Sequence, residues 1–124
     1  MAKILIAEDD RALLDMFSAA VESMGHSAIR AVNGRMAWDV LQANDDIAFL
    51  ISDMAMPEMD GWTATAMIKK KGAVTSHIPL IALTAHALPG DRQRAMDSGC
   101  DEYVIKPMDL SELVEIVNQW IGED

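Results

Sequence analysis

Five short, nearly continuous apolar runs divide this chain: Ile4-Leu-Ile-Ala7, Ser27-Ala-Ile-Arg-Ala31, Ile47-Ala-Phe-Leu-Ile-Ser52, Pro79-Leu-Ile-Ala-Leu83 and Glu102-Tyr-Val-Ile105. A short apolar run without polar alternation suits a strand covered on both faces. Ser27–Ala31 is the weaker case, because Arg30 interrupts it. Each run is followed by a stretch with helical signals. Leu13, Phe17, Ala20 and Met24 fall at i, i+4, i+7 and i+11, with Asp10 placed to cap the helix and Gly25 to end it. Asn33-Gly34 turns the chain into a second helix carrying Met36, Ala37, Val40 and Leu41. Trp62 to Lys70 reads as a third helix with Lys69-Lys-Lys71 at its end, where cations suit the dipole. Pro89 is expected to open a fourth helix that continues over Asp91–Asp97 and closes at Gly99. Leu110, Leu113, Val114, Val117 and Ile121 mark the last, with Asp109 and Glu112 resembling a capping box. Five β-then-α units in succession predict an α/β fold, a parallel sheet with helices on both faces.

The 124 residues suit one domain spanning 1–124, and at 51% hydrophobic they supply a sizeable core. The net charge of −10 disfavours direct nucleic-acid binding and anionic membranes, and favours cations and basic protein patches. The single cysteine, Cys100, precludes an intrachain disulfide and fits a reducing cytosol. The apolar run before Glu8 is too short for a signal peptide, and no stretch approaches transmembrane length, so a cytoplasmic protein is expected.

In sheets of this kind functional residues gather beyond the carboxyl ends of the strands. Those ends carry Glu8 and Asp9, Asp53, Thr84 and Lys106. Asp53 is followed at once by a loop containing Pro57 and Gly61, which turn the chain away. Carboxylates brought together repel and call for a cation, and an oxygen-only ligand set suits Mg²⁺ or Mn²⁺. A hard dication and a lysine beside a carboxylate favour an incoming phosphoryl group, with the carboxylate as nucleophile and a threonine hydroxyl as donor. Singly, each residue has an ordinary role: acids cap helices, threonine favours strands and lysines decorate turns. Ten methionines read as deformable filler, and His26 and His77 as surface residues.

Over essentially its whole length the chain resembles the receiver domain of two-component response regulators. The resemblance lies in Ile4-Leu-Ile-Ala-Glu-Asp9, Ser52-Asp53, Met56-Pro57, Met59-Asp60-Gly61, Leu83-Thr84-Ala85 and Gly99-Cys-Asp-Glu-Tyr-Val-Ile-Lys-Pro107. It implies a flavodoxin-like, doubly wound sheet of order 2-1-3-4-5, with Asp53 as phosphoacceptor. It implies a metal held by Asp9, Asp53 and the Ala55 carbonyl, with Glu8 acting through water. Lys106 would pair with phosphoryl oxygens, Thr84 and Tyr103 would be the switch pair, and the Lys106–Pro107 bond would be cis. The donor would be a sensor histidine kinase or a histidine phosphotransfer protein. The output surface would be the fourth helix, fifth strand and last helix. Asp10, one residue beyond the acidic pair, receives no metal role. Ala55 and His86 occupy positions where the family varies, and Ala55 cannot hydrogen-bond an attacking water.

Three other readings compete. A haloacid-dehalogenase-type phosphohydrolase would place a second acid two residues after the nucleophile, where this chain has Ala55. A flavodoxin would need a hydroxyl- and glycine-rich loop where this chain has Glu8-Asp-Asp10. A receiver-shaped module without phosphorylation would not need the acidic pair, Thr84 and Lys106. Met1-Ala-Lys and the lack of a linker favour a stand-alone regulator over a receiver from a hybrid kinase. The kinase, the pathway and the target are not written in the chain. Leu14, set off the apolar stripe of the first helix, and Arg11 are expected to help dock the donor's helix.

Overall fold

Because every strand must pair in parallel, each needs a crossover, and the helices that provide it cover both faces of the sheet. A computed structural model describes residues 2–44, 46–54, 61–70, 75, 77–84 and 89–121. The strands are β1 (Lys3–Ala7), β2 (Ser27–Ala31), β3 (Ile47–Asp53), β4 (Leu80–Thr84) and β5 (Glu102–Ile105). They form one parallel sheet in the order β2-β1-β3-β4-β5. The helices are α1 (Arg11–Ser23), α2 (Gly34–Ala43), α3 (Gly61–Ile68), α4 (Asp91–Ser98) and α5 (Leu110–Ile121). No described helix is long and apolar enough to cross a membrane.

Alternate residues of the central strands feed two separate cores. Leu5, Ala7, Leu80 and Ala82 pack with Ala37 and Leu41 of α2, Ile68 of α3 and Ala95 of α4. Ile4, Ile6, Ile81 and Leu83 pack with Leu14, Phe17 and Val21 of α1 and Leu113, Ile116 and Val117 of α5. This is why β1 and β4 read as unbroken apolar runs, whereas the edge strands β2 and β5 carry the half-exposed positions.

Local chemistry sets the helix ends. Asp10 Oδ1 accepts from the backbone N–H of Ala12 and Leu13, and Asn33 Oδ1 accepts from Met36 N–H at 2.7 Å. Asp109 Oδ1 accepts from Glu112 N–H at 2.8 Å. Helix α4 departs from the expected start. It begins at Asp91, after Gly90 in the left-handed region at φ +89°, so Pro89 belongs to the preceding turn.

The core stripe of α1 is also corrected. Leu14, Phe17, Ser18 and Val21 are buried, while Leu13, Ala20 and Met24 are only half-buried and Met16 is 37% exposed. The apolar arc of this helix is broad, and its centre is chosen by the partners it meets on the sheet and on α5. Leu14, at 1% exposure, is a core residue and is not available to dock a partner; Arg11 is exposed in the first turn. Leu14→Ala is therefore expected to destabilise the chain by about 2–4 kcal/mol, and Leu13→Ala by about 1 kcal/mol or less. Urea unfolding of the two variants measures this, and equal losses would contradict the observed packing.

Candidate functional site: an acidic crevice at the strand ends

The sheet order reverses at β1, which leaves a crevice between the carboxyl ends of β1 and β3. Register brings the polar residues to it. Ala7 is level with Ser52, Asp53 with Leu83, and Thr84 with Ile105, so Glu8, Asp53, Thr84 and Lys106 follow one another along a single rim. Backbone bonds just beyond the strands hold that register. Glu8 N–H donates to Ala31 O at 2.9 Å, Met54 N–H to Leu83 O at 2.8 Å and Lys106 N–H to Thr84 O at 2.7 Å. The Lys106–Pro107 peptide bond is cis.

Lys106 joins two of the acids. Its Nζ donates to Asp53 Oδ2 at 3.0 Å and lies 2.6 Å from Glu8 Oε1, a close ion pair outside directed hydrogen-bond geometry. Glu8 is fully buried, with Oε2 accepting from Asp10 N–H at 3.1 Å, and Asp53 is 4% exposed. Asp9 is exposed. Glu8, Asp9 and Asp53 each offer a carboxylate oxygen within 4.8 Å of the others, an oxygen-only set fit for a hard divalent cation. Asp10 lies outside that cluster and is occupied in capping α1.

Burial pushes the Glu8 carboxyl up from 4.5 to about 7. Lys106 and the Asp10 N–H pull it back, and neighbouring Asp53 adds to the rise. Burial works against the Lys106 ammonium, but contacts with Glu8 and Asp53 outweigh it and the net shift is upward. The site without metal therefore holds a fixed cation and a carboxyl that titrates near neutrality.

Thr84 closes β4 with its side chain buried. Tyr103, on β5, is 7% exposed and packs in the core shared with Ala82, Ala95 and Cys100. The Arg92 guanidinium sits 5.9 Å from the centre of its ring. Ala55, His86 and the Met56-Pro57 and Met59-Asp60 motif positions lie outside the described residues. His26 is half-buried, its Nδ1 accepting from Ala2 N–H at 3.0 Å, and His77 is exposed.

One feature of the surroundings is not legible in the sequence. Lys69, expected only to favour a helix end, donates to Ile78 O at 2.9 Å and pairs with Asp101 Oδ2 at 3.0 Å. The same Asp101 oxygen accepts from Leu80 N–H at 2.8 Å, so this pair clamps the end of α3 to the starts of β4 and β5. Opposite charges far apart in sequence give no signal of such a pairing. Met54 and Met108, directly after Asp53 and Pro107, are buried beside the site as deformable packing.

A sequence model described as the response regulator receiver domain matches residues 4–118. The polar-differentiation response regulator DivK of Brucella anthropi is 31% identical over 120 residues, covering 97% of this chain and 96% of that protein. The receiver domain of a Pseudomonas aeruginosa sensor histidine kinase, solved with a magnesium ion coordinated in its active-site cleft, is 30% identical with a TM-score of 0.86 and covers 98% of both chains. A two-component response regulator of Clostridium difficile is 26% identical with a TM-score of 0.89, covering 98% of this chain and 96% of that one. With sequence, sheet order and the acidic crevice in agreement over nearly the full length, this chain belongs to the response regulator receiver domain family of two-component systems.

Proposed function

We propose that Asp53 accepts a phosphoryl group from a phosphohistidine on a sensor histidine kinase or a histidine phosphotransfer protein. The observation that carries this reading is the Asp53 carboxylate itself: nearly buried, 3.0 Å from Lys106 Nζ, and clustered with Glu8 and Asp9. An Asp53 oxygen attacks phosphorus, the O–P bond forms as the P–N bond breaks, and the donor imidazole leaves. Lys106 is free to shift its ammonium from the carboxylates to the oxygens of the transferred group. Asp9, Asp53 and the Ala55 carbonyl, with Glu8 acting through water, would hold a Mg²⁺ or Mn²⁺ ion. Bound there, the cation neutralises phosphoryl charge that the acids would otherwise repel. The protein catalyses only its own phosphorylation and dephosphorylation, in the cytosol.

The new group adds roughly −1.5 to −2 charges and three strong acceptors. Thr84, buried at the end of β4 on the same rim, would donate to it, and Tyr103, already packed inward in this conformation, would be held there with the α4–β5–α5 face in its active arrangement. This is a population shift of a conformation that exists beforehand. Incubation with Mg²⁺ and acetyl phosphate should give an acid-labile mass gain that Asp53→Asn abolishes. Thr84→Ala should keep the gain but lose most of the accompanying amide shifts in α4, β5 and α5. Full modification of the Asn variant would remove Asp53 as the acceptor.

Metal binding requires Glu8 ionised, so Mg²⁺ affinity should fall as pH drops through about 7, by up to about tenfold per pH unit. The metal-free chain should respond in the opposite sense. Its folded state holds a proton on Glu8 that the unfolded chain has released between pH 4.5 and about 7, so stability falls as pH rises through that window. Thermal melts in chelator should show this slope, worth about 1–3 kcal/mol, and Glu8→Gln should flatten it. An unchanged slope in that variant would assign the titration to another group.

With Leu14 in the core, donor docking moves to its neighbours. Leu13, Met16 and Phe17 of α1 face Lys106, Pro107 and Met108 across a largely apolar cavity of about 310 Å³, which shares Lys106 with the acidic crevice. Met16→Arg should slow transfer from a phosphohistidine protein at least about tenfold while leaving acetyl phosphate, which needs only the crevice, nearly unaffected. Equal slowing with both donors would mean that the substitution damaged the site.

A further inference from the structure

Strand β5 is an edge of the sheet, and an open cavity of about 390 Å³ runs along all four of its residues and onto α5. Its apolar part is made by Val104, Ile105 and Ile116, and Ile105 is 49% exposed. Together these side chains give the sheet edge a contiguous apolar floor on which an anchor side chain can pack. Around it stand Glu102, Glu112 and Glu115. Glu102 is held in place by Trp120 Nε1, which donates to its Oε2 at 2.6 Å. Arg92 is the one cation among the described lining residues, and it lies over the Tyr103 ring.

We infer that this cavity receives a protein segment whose apolar anchor side chain packs on Ile105 and Ile116 while flanking Lys or Arg side chains meet Glu102, Glu112 and Glu115. The inference rests on the reading of the α4–β5–α5 face as the output surface and adds the chemistry of its partner. Charge complementarity selects the occupant. A second copy of this chain would bring acid against acid and a further net charge of −10, which opposes self-association here. An acidic segment meets the same repulsion. A basic one is steered in by the field of the whole chain and fixed by the three glutamates, while the anchor supplies the buried apolar contact.

The test is selection of a random displayed peptide library on the full chain, with and without Mg²⁺ and acetyl phosphate, followed by amide-shift mapping of the enriched peptides. Enriched sequences should pair a Leu, Ile, Met or aromatic residue with Lys or Arg, and should shift the amides of 102–105 and 112–119. Glu112→Lys with Glu115→Lys should weaken them about tenfold or more, and Ile105→Asp comparably. Glu22→Lys with Asp39→Lys, which changes net charge equally on exposed positions of α1 and α2, should alter binding less than about twofold. No enrichment, enrichment of acidic or uncharged sequences, shifts on another face, dimers of the free chain through β5, or equal weakening by the α1/α2 pair would each overturn the inference. Failure here with Asp53 still phosphorylated leaves the phosphoacceptor reading standing. Binding at this face with no phosphorylation at Asp53 would sink that reading and keep this one.

Discussion

The ammonium of Lys106 between Glu8 and Asp53 is the interaction on which the rest of the molecule depends. Two buried carboxylates and a third nearby would repel strongly if left alone, and an isolated buried charge is costly. One lysine, 2.6 Å from the first acid and 3.0 Å from the second, makes the cluster tolerable without filling it. The compensation is incomplete, as the upward displacement of Glu8 toward neutrality shows. A site that still lacks positive charge is prepared to accept it as a metal ion, and the same lysine can then turn to an anionic group.

Stability for this arrangement comes from elsewhere. The central strands β1, β3 and β4 are covered on both sides, by α2, α3 and α4 in one layer and α1 and α5 in the other. The strained electrostatics are confined to the last residue or two of each strand, where the apolar layers end. The Lys69–Asp101 pair and the bonds from Asp101 to Leu80 fix the opposite, amino-terminal ends of β4 and β5. Those two strands are thus anchored at one end and carry Thr84 and Tyr103, with Lys106 directly after β5.

That edge has its own chemistry. Ile105 immediately precedes Lys106, so the residue half-exposed at the sheet edge and the residue paired with Asp53 are covalent neighbours. Tyr103, two residues earlier on the same strand, is buried beneath Arg92 of α4.

Much of this was legible in the amino-acid sequence, because it depends on short-range rules. Unbroken apolar runs, Asn33-Gly34, the caps at Asp10 and Asp109, and glycines after helices determine ten alternating elements, and parallel pairing then brings Glu8, Asp9, Asp53, Thr84 and Lys106 to one rim. What the sequence left open depends on contacts between distant segments. The apolar residues of α1 permit more than one facing direction, and only the sheet and α5 decide that Leu14 is core and Met16 is surface. Gly90 rather than Pro89 sets the start of α4, because a left-handed backbone cannot enter a helix. The burial that raises Glu8, the clamp between Lys69 and Asp101 and the inward packing of Tyr103 likewise belong to the tertiary structure, since desolvation and ion pairing are properties of the space around a side chain and not of its neighbours in the chain.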